Sequence, residues 1–415
     1  MESILPELQK TSREAAKLRR APHSQRAGVL THLAGLLTEN VALILAENRK
    51  DLERMDREDP KYDRLLLNEA RIHALADSLR EVSRLEDPAG KVLLEKTLPN
   101  GLLLKKVTTP MGVVGTIFES RPNVTIDVAA LCLLSGNAAV LKGGKEADYS
   151  NRAFVQLIHR ALRENGLPEE VVLLLPTDRK FMTELLQADR YVDLIIPRGS
   201  QGLISFVREN SRIPTIETGA GVCHVYVEKT ADLAMAAEII VNAKASRPSV
   251  CNSLDCVILD AAVAPELIPG LKAGFEKYAI KVFADEASLP YFREADFRVQ
   301  PARAEDFGKE WLDFKVSVKT VNSPDEALDH IREYSSRHSE AIVTRDPELA
   351  QRFLEEVDAA AVYHNASTRF TDGGEFGLGA EIGISTQKLH ARGPFALEKL
   401  VTEKWVVTGD GQVRW

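Results

Sequence analysis

Val113-Val114-Gly115-Thr116-Ile117-Phe118, a helical stretch at about 123–135 and then Ala138-Ala139-Val140-Leu141-Lys142 form a strand–helix–strand unit. Parallel strands need such a crossover, usually a helix. The alternation continues through strand candidates Val171–Leu175, Leu194–Pro197 and Thr215–Thr218, with helices at about 149–164, 179–188 and 200–210. This order predicts a parallel, doubly wound sheet.

A second alternating set follows. It runs Cys223–Val227, a helix near 231–244, Ser253–Leu259, helices around 263–278, Lys315–Val321, Pro324–Tyr334, Ala341–Thr344, Pro347–Val357 and Ala361–Asn365. The stretch 283–310, rich in Asp, Glu, Pro and Ala, reads as an edge excursion. Before the first sheet the chain is helical. Leu30, Leu33, Leu36 and Leu37, then Ile44, Leu45 and Leu52, recur at three- and four-residue steps, with breaks at Pro60 and at Asp87-Pro88-Ala89-Gly90. Between helices and sheet, Pro99-Asn100-Gly101 separates the extended runs 92–98 and 102–107, a strong hairpin signal. Trp405-Val406-Val407 has the character of a partner strand. The expected architecture is α/β, with one doubly wound domain of 1–91 and 112–220 and a second of 221–395. An oligomerisation arm of 92–111 and 396–415 completes it, either as a hairpin that joins a second subunit's sheet or as a plain surface hairpin.

The 415 residues are too many for one core. A net charge of −8 with no long basic run argues against a nucleic-acid partner. The apolar stretches are too short for a membrane span, and the acidic start lacks a signal-peptide core, so the expected location is cytoplasmic. Four cysteines, at 132, 223, 251 and 256, have neither CxxC nor zinc-type spacing and read as reduced thiols. Cys132, inside an apolar run, reads as a packing residue. The nine histidines are scattered, and no metal site is expected.

Cys251 stands apart. It lies in Lys244-Ala245-Ser246-Arg247-Pro248-Ser249-Val250-Cys251-Asn252, with two cations upstream and small polar neighbours. Positive charge favours the thiolate, the form that acts as a nucleophile. The Gly-x-Gly-x-x-Gly dinucleotide fingerprint is absent; Gly219-Ala220-Gly221 and Gly377-Leu378-Gly379 lack its third glycine and its context. The turn Gly199-Ser200, however, follows a strand and opens a helix, an arrangement that can cradle a pyrophosphate.

Several strings together carry a resemblance. They are Phe118-Glu119-Ser120-Arg121-Pro122-Asn123-Val124-Thr125, Ser135-Gly136-Asn137, Leu141-Lys142-Gly143-Gly144, Glu217-Thr218-Gly219, Arg247-Pro248-Ser249-Val250-Cys251-Asn252 and Asn365-Ala366-Ser367-Thr368-Arg369-Phe370-Thr371-Asp372-Gly373-Gly374. The tail block Ser385–Pro394 belongs with them. In this order they resemble the gamma-glutamyl phosphate reductases (glutamate-5-semialdehyde dehydrogenases), the proline-biosynthesis branch of the aldehyde dehydrogenase superfamily, from about Thr108 to Trp405. The resemblance implies an aldehyde dehydrogenase-like pair of domains, the first NADP(H)-binding and the second catalytic. It implies NADPH-dependent reduction of gamma-glutamyl phosphate to glutamate semialdehyde through a thioester on Cys251. A homodimer or homotetramer and a functional link to glutamate 5-kinase are further implied.

Residue by residue, Cys251 matches the nucleophile. The Cys251 backbone N–H and the Asn123 side chain are candidate oxyanion donors, though Asn123 could instead cap the helix that follows. Glu217 matches the superfamily's water-activating glutamate. Here it is either turned away, since hydrolysis would waste the substrate, or manages protons on the thiol. Lys142 matches the adenosine-ribose lysine, and Lys145 either pairs a 2′-phosphate, favouring NADPH, or is a solvated loop cation. Glu310 falls where a glutamate contacts the nicotinamide ribose. Arg121 and Arg369 are candidate anion partners for the substrate, or members of structural ion pairs. Ser246, Cys256 and His364 depart from the branch pattern. The alternatives are a hydrolytic NAD(P)-dependent aldehyde dehydrogenase, a cofactor-free thiol acyltransferase or hydrolase, and a non-catalytic binding protein.

Overall fold

A computed structural model describes residues 2–57, 59 and 62–414. Pro60, expected to interrupt the opening helices, lies outside the described residues. The chain divides into two compact units. One comprises Met1–Thr218, Gly377–Gly383 and Phe395–Trp415, the other Gly219–Phe376 and Ile384–Pro394.

In the first unit the opening helices are Leu5–Arg20, His23–Glu39, Val41–Leu52, Tyr62–Leu65 and Glu69–Val82. Their periodic residues Leu30, Leu33, Leu37 and Ile44 are fully buried, which is why the three- and four-residue steps were visible in the sequence. Next come hairpin strands β1 (Val92–Thr97) and β2 (Leu103–Pro110), then β3 (Val113–Phe118), β4 (Ala138–Lys142), β5 (Val172–Leu174) and β6 (Leu194–Arg198). The last four form one sheet in the order β5-β4-β3-β6, with every pair parallel. The chain winds outward from β3 to β5 and returns to β6 on the other side of β3. The direction of winding therefore switches between β3 and β6, where such sheets open a crevice at their carboxyl ends. The expected strand at Thr215–Thr218 is reduced to isolated bridge residues, Thr215, paired with Ile195, and Thr218. The Thr218 hydroxyl donates to the Pro197 carbonyl at 2.7 Å.

The hairpin forms as expected, Gly101 adopting φ +89° at its turn. The C-terminal run Val401–Thr408 pairs antiparallel with β2 of its own chain, from Val401 opposite Pro110 to Thr408 opposite Leu103. The tail thus joins the hairpin in a three-stranded arm, with β2 in the middle and β1 and Val401–Thr408 as its outer strands. Among the described residues no single helix is long and apolar enough to cross a membrane.

The main sheet of the second unit has seven strands: β7 (Cys223–Val227), β8 (Leu254–Asp260), β9 (Lys281–Ala284), β10 (Val299–Pro301), β11 (Lys315–Val321), β12 (Ser339–Val343) and β13 (Ala361–His364). Their order is β10-β9-β11-β8-β7-β12-β13, all parallel. Strands β9 and β10 extend the edge within the stretch read as an excursion; at four and three residues they are too short to show a pattern. Val225, Val257 and Val343 pack into one apolar layer with helices Leu233–Ala245 and Ala264–Lys277. Tyr226, Cys256 and Ile342 belong to a separate layer with Leu328, Ile331 and Phe353, from helices Pro324–Tyr334 and Pro347–Glu356.

Asn137 ties the first unit together. Buried, it accepts from the Gly112 N–H at 2.8 Å and donates to the Ser135 hydroxyl at 2.7 Å and the Leu400 carbonyl at 2.8 Å. It thus joins the entry to β3, the entry to β4 and the C-terminal segment. Replacing it with alanine strips the Gly112 N–H of its partner and leaves the Leu400 carbonyl only the longer bond from the Met111 N–H at 3.4 Å. Asn137→Ala should lower the urea midpoint by an amount corresponding to about 1–3 kcal/mol, the cost of one buried group left unpaired. A change within about 0.5 kcal/mol, typical of a surface substitution, would contradict this role.

Candidate active site

In the first unit a cavity of about 1040 Å³ opens at the carboxyl ends of β3 and β4 and the start of helix Gln201–Asn210. Phe118, Glu119, Lys142, Lys145, Thr177 and Ser200 contribute to its lining. This is the crevice that the strand order predicts. Lys142 is only 5% exposed, and its ammonium donates to the Thr177 carbonyl at 3.0 Å. Burial lowers its pKa, opposed by nearby Glu146 and Asp178. Lys145 is exposed at the cavity and makes no ion pair among the described residues. The neighbouring Glu146 is turned onto Ser120, accepting from its N–H at 2.7 Å and its hydroxyl at 3.0 Å.

The Gly199-Ser200 turn does hold an anion, but the anion is the chain's own. Ser200 N–H donates to Glu119 Oε2 at 3.0 Å, and the Ser200 hydroxyl caps the helix by accepting from Leu203 N–H. No local pattern signals this pairing, since the spacing of Glu119 and Ser200 does not itself bring β3 beside β6.

Asn123 is the first residue of helix Asn123–Leu134, whose cap is Pro122, so the capping alternative fails. Its amide instead donates to Asp127 at 3.0 Å, one helical turn on. Burial raises Asp127 to about 6, opposed by this bond and by the charge of Arg198. Asp127 was missed, although a four-residue step within a helix could have revealed it. Glu217 faces Arg208 at 3.6 Å and is 15% exposed. Arg121 is half-buried, just after Ser120, which sits at φ +48°.

In the second unit Cys251 is half-buried, in the loop between helix Leu233–Ala245 and β8. Its neighbour Asn252 holds this loop. The Asn252 side-chain amide donates to the carbonyls of Arg369 at 3.2 Å and Thr371 at 3.0 Å, while its oxygen accepts from the Arg369 guanidinium. Arg369 Nε donates to the Ser246 hydroxyl at 3.0 Å, and the Thr368 hydroxyl to the Asn252 carbonyl at 2.8 Å. The positive charge beside Cys251 therefore includes Arg369, whose pKa falls through burial and the charge of Arg247 and rises through Asp372 and Cys251. Lys244, one of the two upstream cations, is instead fully buried against Asp255 at 3.2 Å. Burial drives the two toward each other, Asp255 up to about 7 and Lys244 down.

Gly221, part of the failed dinucleotide pattern, has a different reason to be glycine. A Cβ there would stand 1.5 Å from the Cys251 carbonyl oxygen. The Gly221 N–H donates to Glu310 at 2.9 Å, so Glu310 fixes the backbone against which the cysteine loop rests. Cys132 is fully buried as expected, and burial raises its thiol to about 12.

Two parallel α/β units, a cavity at a sheet's switch point and a clamped cysteine define the class. A model of the aldehyde dehydrogenase family matches residues 6–289. Gamma-glutamyl phosphate reductase of Chlorobaculum parvum is 52% identical over 415 residues, covering 100% of this chain and 99% of that protein. The Bacteroides fragilis protein of the same name is 53% identical over 389 residues, 93% of each chain. The crystal structure of gamma-glutamyl phosphate reductase from Thermotoga maritima covers 100% of both chains with a TM-score of 0.94 at 40% identity. An acetylating aldehyde dehydrogenase from Geobacillus thermoglucosidasius shares the fold, with a TM-score of 0.73 at 15% identity over 99% of this chain and 97% of that one. The chain belongs to the aldehyde dehydrogenase family, within its gamma-glutamyl phosphate reductase branch.

Proposed function

We propose that this enzyme reduces L-glutamyl 5-phosphate to L-glutamate 5-semialdehyde and phosphate, the second step of proline synthesis from glutamate, with Cys251 as nucleophile. The observation that carries the reading is the Cys251 loop, held by Asn252 and accompanied by the Arg369 charge. The Cys251 thiolate forms a C–S bond to the acyl carbon as the C–O bond to phosphate breaks, leaving a thioester. Lys142 and Lys145 at the cavity would hold NADPH, whose chemistry would be to supply the hydride that brings the thioester to the aldehyde level. The C–S bond then breaks and the thiolate is restored. Negative charge on the substrate oxygen calls for fixed donors. The Cys251 backbone N–H is one. The Asn123 amide is the other candidate, with one of its two N–H bonds serving Asp127. Glu217, 3.6 Å from Arg208, is assigned no water-activating role, because hydrolysis of the thioester would waste the activated substrate. Arg121 and Arg369 are assigned to the substrate's anionic groups. Guanidinium forks bind carboxylate and phosphate in a bidentate manner.

The cavity suits a dinucleotide carrying an extra phosphate. Lys142 would hold the adenosine ribose and Lys145 the 2′-phosphate, while the Gly199-Ser200 turn would take the pyrophosphate if Glu119 yields it. We also propose a homodimer or homotetramer. Val92, Trp405 and Val407, on the three-stranded arm, are 54%, 54% and 53% exposed, an apolar surface that association would cover. A solution mass of one chain, 45.9 kDa by light scattering, would contradict this.

Wild-type enzyme should oxidise glutamate semialdehyde with NADP⁺ only when phosphate is present. Cys251→Ala should lower that rate at least about a hundredfold, while Cys132→Ala retains most of it. Lys145→Glu should shift the ratio of kcat/KM for NADPH over NADH about ten- to a hundredfold toward NADH, the worth of one charge-assisted phosphate contact. An unchanged ratio removes Lys145 from the cofactor site.

A further inference from the structure

The histidines, scattered in sequence, do not stay scattered in the fold. Glu340 on β12 is the register partner of His224 on β7, and His224 is the partner of Cys256 on β8. The three residues form a polar rung across the central strands of the second unit. His330, from helix Pro324–Tyr334, joins that rung, its Nε2 standing 3.6 Å from Cys256 Sγ. His224, Cys256 and Glu340 are 0% exposed and His330 is 7% exposed. The rings of Phe307 and Tyr334 lie 5.2 and 4.7 Å from that of His330 and wall the group with apolar surface.

Such a group inside an apolar layer needs its polar atoms satisfied, and one of them is not. His224 Nδ1 faces Glu340 Oε2 at 2.9 Å, and the same carboxylate accepts the His224 backbone N–H at 3.0 Å and the Ser335 hydroxyl. That orients the imidazole, with Nδ1 on the carboxylate and Nε2 on the side of Cys256. His224 Nε2 is buried and has no hydrogen-bond partner. The donor atoms of His224, Cys256 and His330 lie within 4.8 Å of one another. Zinc bonds of about 2.0–2.3 Å at a tetrahedral angle give donor–donor edges of about 3.3–3.6 Å. The Cys256–His330 separation already equals such an edge, and the others close to it by about 1.5 Å at most.

We propose that His224, Cys256 and His330 bind one divalent ion of the zinc class. Two imidazoles and a thiolate are its characteristic donors, and a carboxylate behind one imidazole is the usual outer support. Binding would displace the Cys256 thiol proton to solvent and leave both histidines neutral, with Glu340 keeping the proton on His224 Nδ1. Three protein ligands leave the fourth tetrahedral position to water. The ion would pin β7, β8 and helix Pro324–Tyr334 together, a structural role separate from the reaction at Cys251.

Because the site is buried, the ion must enter as the chain folds. Full-length enzyme would be unfolded with a chelator, refolded with Zn²⁺ or Co²⁺, and passed through gel filtration. Wild-type and Cys251→Ser proteins should each retain one ion per chain. Their cobalt forms should show the visible bands of a tetrahedral ion and a thiolate charge-transfer band. Cys256→Ala should lose that band, and Glu340→Gln should keep it while binding about 10–100-fold more weakly. Retention by wild type no greater than by Cys256→Ala, or a thiolate band that disappears in Cys251→Ser, would overturn the proposal. Should Cys256→Ala fail to fold, X-ray absorption of the zinc-loaded wild type decides. One sulfur and two imidazoles support the site, and a shell without sulfur refutes it.

Discussion

The Asn252 side chain is the join on which the catalytic half depends. Its amide spends both N–H groups on the carbonyls of Arg369 and Thr371 and its oxygen on the Arg369 guanidinium. One short residue thus fixes the backbone next to Cys251, holds Arg369 in place and keeps that charge close to the thiol. On the other side of the cysteine the loop rests against a backbone where no side chain fits, at Gly221, which Glu310 holds through its N–H. A nucleophile needs this restraint because a displacement of about 1 Å can cost a hundredfold in rate. The same restraint explains why asparagine follows cysteine and why a glycine lies thirty positions upstream without serving a dinucleotide.

The first unit applies a different constraint. Four parallel strands that wind out from β3 and return beside it leave a crevice at their carboxyl ends, whatever side chains line it. The residues around that crevice are mixed in charge. Lys142 and Lys145 suit phosphate and ribose, while Glu119 occupies the helix N-terminus at Ser200 and Glu146 bonds to Ser120. An internal carboxylate at a helix N-terminus is favourable by the same electrostatics that would favour a pyrophosphate, so cofactor and Glu119 compete for one set of N–H groups.

Local order was legible wherever a pattern is carried by neighbours in sequence. The leucine steps at 30–37, the Asn100-Gly101 turn and the apolar runs of β3, β4, β7 and β11 all announced their elements. The short strands β9 and β10 did not, because three or four residues hold no periodicity. At the site, Cys251 stood out through its composition, and Asn123 and Lys142 through the strings around them. What remained hidden was pairing over long separations: Glu119 with Ser200, Glu310 with Gly221, Arg369 with Asn252, and His224 with Cys256 and His330. Each of these depends on strand order, which no local window contains. Lys244 shows the converse, since a cation near the cysteine in sequence is buried against Asp255 in the fold.

The central claim is that Cys251 carries the acyl group and that phosphate, not water, removes it. Enzyme mixed with glutamate semialdehyde and NADP⁺ in phosphate-free buffer tests both parts at once. The account predicts a burst of about one NADPH per active site and then a stall, the fingerprint of a trapped covalent intermediate. The stalled protein should carry one glutamyl group on the peptide containing Cys251, released by hydroxylamine, and turnover should resume when phosphate is added. Steady turnover without phosphate, or a glutamyl group found on any other residue, would contradict it.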